Sequence, residues 1–130
     1  MTKILLLPQE IETFYILPSL RCNLALVMKK QGMKQKDVAS LLGINSATIS
    51  QYTSKKRGNA VSFPQEVVAE IEKSAMKIKD RFSYLQETQR LLRHIRLTNV
   101  LCQVHKKFSD VPSCCDPTQI GCHPLQQHKK

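Results

Sequence analysis

The sequence predicts an all-α fold, a five-helix bundle followed by an irregular Cys-rich tail. Three observations predict it. Apolar residues recur at three- and four-residue spacing from about residue 18 to residue 95. Glycines and good capping residues punctuate that pattern at helix-length intervals. Aromatics make up only 5% of the chain and Trp is absent, which suits small helical packing better than a sandwich or a barrel. At 130 residues the chain fits one small domain with an appendage.

Residues 1–17 read as a lead-in with two prolines, Pro8 and Pro18, close by. The first helix is expected to start at Pro18 or Ser19, since Pro is pre-organised for a first turn and Ser caps well. Leu20, Leu24, Val27 and Met28 define its buried stripe, and Gly32 stops it. The second helix runs from about Lys34 to Leu42, with Val38, Leu41 and Leu42 inward, and ends at Gly43. Asn45 caps a third helix, Ser46 to about Tyr52. Two short helices joined by a Gly-containing turn make a helix-turn-helix.

Pro64 fits the first turn of a fourth helix. Val68, Ile71, Ala75, Ile78, Phe82 and Leu85 then form a heptad-like seam. It is expected to pack on the first three helices; the other use of such a seam is dimerisation. Ser83 followed by Gln86 matches a capping box, so a break is expected there, with a C-terminal helix over 83–107 carrying Leu91, Leu92 and Ile95 inward.

The formal net charge is +10. Residues 1–60 carry nine basic and three acidic residues, whereas 108–130 carry two of each. A positive field at the front of the chain points to an anionic partner. Ile4–Leu7 is too short for a secretory signal and no run reaches membrane-spanning length, so a cytoplasmic, non-membrane protein is expected. In that reducing compartment the five cysteines read as thiols or metal ligands.

The segment MKQKDVASLLGINSATISQY concentrates the chemistry. Ala39 is small where two helices approach, and Gly43 can take the positive φ of the turn. Val38, Leu42, Ile44, Ile49 and Tyr52 supply a common core, leaving Ser46, Ala47, Ser50 and Gln51 outside with no acid among them. This segment, with FYILPSLRCNLALVMKKQG before it, resembles the helix-turn-helix of the phage-repressor (Cro-like, xenobiotic-response-element) family of transcription regulators, over about residues 14–80. The resemblance implies a repressor-like bundle with a DNA-binding domain at 18–82. Its third helix would read base edges in the major groove through Ser46, Ala47, Ser50 and Gln51. Gln51 is the sharpest base reader, because an amide pairs bidentately with adenine. Gln35 matches the family's phosphate anchor at a helix N-terminus. Thr48, Lys55, Lys56 and Arg57 are expected to grip phosphates as well. A homodimer is expected, with its third helices about 34–36 Å apart on double-stranded DNA. The other function class considered is a protein–protein module of the same fold, an antitoxin or coactivator. No carboxylate pair, phosphate loop or Ser–His arrangement suggests an enzyme.

The tail at 108–130 is the second focus. Cys102, Cys114, Cys115 and Cys122 are interleaved with His105, His123 and His128. Four thiolates can hold an iron–sulfur cluster, and three with His105 or His123 can hold zinc. The spacing matches no standard ribbon or finger; free or redox-active thiols are the alternative. Cys22, inside the first helix, reads as a structural or surface thiol. The segment LCQVHKK is similar to that of a prokaryotic subgroup of repressor-like regulators with a Cys-rich C-terminus. The subgroup carries further cysteines where this chain has Gln89 and Leu92.

Overall fold

The computed structural model describes residues 4–54 and 60–111, and every regular element among them is helical. The elements are α1 (Pro8–Ile11), a π-helical turn (Glu12–Ile16), α2 (Leu17–Lys30), α3 (Gln35–Leu42), α4 (Ser46–Thr53), α5 (Gln65–Lys77), α6 (Arg81–Leu97) and α7 (Val100–Phe108). The all-α expectation holds. α2 is the central element and packs against α3, α4 and α5, while α6 lies on α5 and α3.

The lead-in is the largest departure from expectation. The chain is helical from Pro8, and helical backbone runs unbroken into α2. Pro8 stands at the first helical position, where its missing N–H costs nothing. Pro18 would ordinarily break an α-helix, because it lacks the donor for the i→i−4 bond. Here the wider π turn immediately precedes it, and the Leu17 amide reaches back five residues to the Glu12 carbonyl. Ile11 and Ile16 are fully buried as a result.

This N-terminal segment closes on α7. Leu6 N–H donates to Ser109 Oγ (2.7 Å), Asp110 N–H donates to the Ile4 carbonyl (3.0 Å), and His105 Nε2 lies 2.6 Å from the Leu6 carbonyl. Tyr15 and Phe108 stack with ring centroids 4.1 Å apart. Glu12, almost buried, takes a two-pronged contact from Arg96 of α6 at 2.7 and 3.0 Å. Glu12 in turn holds the guanidinium above its ordinary range.

The expected stops, cap and buried residues of α2, α3 and α4 match the local geometry. Gly32 and Gly43 both have positive φ, 106° and 72°. Each is followed by the paired backbone bonds of a Schellman stop: Met33 N–H to Met28 O, and Ile44 N–H to Ala39 O. Asn45 caps α4 by accepting from Thr48 N–H at 2.9 Å. Val38, Ala39, Leu42, Ile49 and Tyr52 are buried, and Ile44 is half-buried against them. Ser19, fully buried in α2, accepts from Val61 N–H at 3.1 Å and so anchors the approach to α5.

The long seam breaks earlier than expected. α5 ends at Lys77, and Asp80, not Ser83, caps the next helix. Ser83 belongs to the capping box, but at its third helical position: Asp80 Oδ1 accepts from Ser83 N–H (2.8 Å), and Ser83 Oγ accepts from Asp80 N–H (3.0 Å). The break resets the helical phase. Ile71, Ala75 and Ile78 stay inside with Val67 in place of Val68, whereas Phe82 and Leu85 turn out to solvent. Leu91, Leu92 and Ile95 are buried as expected. The expected single helix over 83–107 is two, α6 and α7, separated at Thr98 and Asn99.

α5 and α6 are also joined by a polar cluster. Arg90 donates to Glu70 (2.8 Å), Glu87 (3.1 Å) and Ser74, and Ser74 Oγ donates to Glu87 (2.7 Å). Burial pushes the Glu87 carboxyl up, but these donors outweigh it and hold it below its ordinary value.

Candidate nucleic-acid interface

α4 presents one open face. Ser46, Ala47, Ser50 and Gln51 are all exposed, while Ile49 and Tyr52 on the opposite side are buried. Small and hydrogen-bonding residues therefore form a helix surface without a bulky side chain to block close approach. Asp37 is the only acid between Gln31 and Ser54. A polyanion meets little repulsion there.

Gln35 sits at the start of α3 and bridges three elements. Its Nε2 donates to the Ser46 carbonyl (2.9 Å) and to Ser50 Oγ (3.1 Å). Its Oε1 accepts from Lys29 Nζ of α2 at 3.1 Å. The side chain thus locks the first turn of α3 to the first turn of α4. The expected phosphate anchor is a brace within the fold, and its amide hydrogens are both in use.

The Thr48 hydroxyl is likewise engaged within the fold. It donates to Asn45 Oδ1 at 3.0 Å, so its one proton lies inside the cap. A phosphate oxygen, which only accepts, would have to displace that bond. Lys55, Lys56 and Arg57 lie outside the described residues.

Further cations surround the start of α3. Lys30, Lys34 and Lys36 are exposed and, among the described residues, form no ion pair with a carboxylate. With Lys29 they flank the Gly32 turn, next to the N-terminus of α3. The visible signal was the pair of lysine couplets on either side of Gly32. Arg81 of α6 donates to the Ser40 carbonyl at 3.3 Å and holds the outer end of α3.

Of the expected metal ligands, Cys102 and His105 lie one turn apart on α7, and Cys114, Cys115 and Cys122 fall outside the described residues. A carbonyl only accepts, so the contact from His105 to Leu6 requires the proton on Nε2 and leaves Nδ1 as the ring nitrogen on which a metal would bind. A backbone carbonyl holding the far ring nitrogen is the usual support of a metal-ligating histidine. The ring therefore suits a ligand role, but no group of three or more His, Cys, Asp or Glu residues that could hold a metal occurs among the described residues. Cys22 is buried, and burial pushes its thiol up, away from a reactive thiolate.

No family model, curated protein or solved structure matches the chain. No helix among the described residues is long and apolar enough to cross a membrane.

Proposed function

We propose that this chain is a non-enzymatic transcription regulator of the cytoplasm that binds double-stranded DNA with α4 in the major groove. The observation that carries the reading is the α4 face: four exposed, small or hydrogen-bonding residues on a helix braced by Gln35, beside an α3 start whose Lys30, Lys34 and Lys36 form no ion pair with a carboxylate among the described residues. Ser46, Ala47, Ser50 and Gln51 meet base edges, and Lys30, Lys34 and Lys36 join the expected Lys55, Lys56 and Arg57 in gripping phosphates. Two copies bind a near-palindromic site. The test is selection from random duplexes followed by binding titrations. Gln51→Ala is expected to cost roughly 1–3 kcal/mol on the selected site and little on random DNA. Equal losses on both would remove the base-reading role.

A protein–protein module is the second reading. The observation favouring it is exposed apolar surface at the α5–α6 corner: Met76, Phe82 and Leu85 are 60–67% exposed. Under that reading Phe82→Ser abolishes function and Gln51→Ala spares it. A zinc or iron–sulfur centre drawing on Cys102, His105 and the three later cysteines is a proposal of the same kind. Metal and sulfide analysis of anaerobically purified protein, with His105→Ala beside it, tests it.

A further inference from the structure

The hydrogen bonds at Gln35 fix more than helix spacing. Three partners determine which way its amide faces. Nε2 lies against the Ser46 carbonyl, an acceptor, and Oε1 lies against the Lys29 ammonium, a donor. Exchanging the two amide atoms would set oxygen against oxygen and nitrogen against nitrogen. Ser50 Oγ therefore faces an N–H and accepts from it at 3.1 Å. The Ser50 proton is then unspent. The usual sink for a helical serine is the carbonyl four residues back, here Ser46, and that carbonyl already takes the Gln35 amide. The contrast with Thr48 is direct, since its proton is held by Asn45.

We infer that Ser50 presents a polarised O–H donor from the exposed face of α4, that its partner is an acceptor-bearing base edge (a purine N7, guanine O6 or thymine O4), and that Gln35 is the positioning residue that sets this polarity. This rests on the DNA-binding reading and narrows it. Donation into Oγ draws charge from the oxygen, which strengthens its O–H as a donor and weakens its remaining lone pair as an acceptor. The major groove separates bases by their donor and acceptor pattern, so a side chain of fixed polarity discriminates at one base pair.

The experiment selects bound sequences from a pool of random duplexes with wild-type protein, Ser50→Ala, Gln35→Ala and Gln35→Glu, each first checked for helicity and thermal midpoint. Ser50→Ala is expected to lose about fivefold preference at one base pair of each half-site and to keep the rest. Gln35→Ala is expected to weaken preference at that same base pair. Gln35→Glu replaces the donor with a carboxylate that Lys29 holds in place; one oxygen accepts the Ser50 proton, and its repulsion by the Ser46 carbonyl is read separately as a lower thermal midpoint. Preference there then shifts toward a base offering an amino group, cytosine N4 or adenine N6. Unchanged preference in Ser50→Ala overturns the inference while DNA binding stands. So does a uniform loss at every position in both Gln35 variants. Wild-type protein that selects no sequence overturns the DNA-binding reading itself.

Discussion

Arg96→Ala tests whether the first residues belong to the core. Its guanidinium makes two charge-assisted bonds to Glu12, at 2.7 and 3.0 Å. The Glu12 side chain is 12% exposed, so losing its donors strands a carboxylate with little water to replace them. Such bonds are worth about 1.5–3 kcal/mol each when buried, but Arg96 is a third exposed and water recovers part of the loss. The expected cost is about 2 kcal/mol. Glu12→Gln keeps one of the two acceptors, turns an amide N–H toward the other guanidinium donor and removes the charge, so about 1.5 kcal/mol is expected. The double variant is expected to fall short of the sum of the two, by about 1 kcal/mol of coupling. Urea unfolding of the four proteins measures all three quantities. A cost of Arg96→Ala below about 0.5 kcal/mol, the range of ordinary surface changes, would refute the docking of the N-terminal segment on α6.

Three further perturbations follow from the local geometry. Asn45→Ala removes the α4 cap and is expected to cost about 1 kcal/mol in urea unfolding, because the Thr48 amide and hydroxyl lose their side-chain acceptor and the amide keeps only the Asn45 carbonyl. Gly43→Ala meets no atom within 4 Å, so its cost is conformational alone, about 1–2 kcal/mol for a side chain at φ +72°; a larger loss would mean a clash the turn does not contain. Acid weakens the fold. Glu70, Asp80 and Glu87 are all held below their ordinary values of 4.5, 3.8 and 4.5 by Arg90, Ser83 and, for Glu87, Ser74 with Arg90. The unfolded chain therefore takes up protons first as pH falls. Their stabilisation is complete above the ordinary values and is lost as pH drops through the lowered ones. Unfolding midpoints that stay flat from neutral pH down to pH 3 would contradict those pairings.

The bounds of α3 and α4 were legible because their signals are local. Gly32, Gly43 and Asn45 each act on their own turn, and the periodicity of Val38, Leu42 and Ile49 spans only two short helices. The errors came where a signal depends on distant contacts or on phase. Pro8 and Pro18 read as boundaries, yet one begins a helix and the other is accommodated by a π turn that sequence spacing does not reveal. The burial of Ile11 and Ile16 depends on α7, nearly a hundred residues away. Phe82 and Leu85 fitted the seam only while its phase ran on from Ile78. The Asp80 cap, three residues before Ser83, resets that phase and turns both outward. At the candidate site the exposed face of α4 was readable from its composition. The commitment of the Gln35 amide and the Thr48 hydroxyl inside the fold was not, since both residue types bind phosphate or backbone equally well.

Ala47→Glu tests the central claim most directly. Ala47 is exposed in the first turn of α4, where an acid suits the helix dipole and leaves the fold intact. Fluorescence anisotropy with labelled random duplexes, over a series of salt concentrations, compares it with the wild type. Wild-type binding of roughly micromolar strength is expected to fall steeply with salt, with a log–log slope near −5 for the six cations that meet phosphates, and Ala47→Glu is expected to lose binding at an unchanged thermal midpoint. Equal binding by both proteins, or no salt-dependent binding by the wild type, would contradict it.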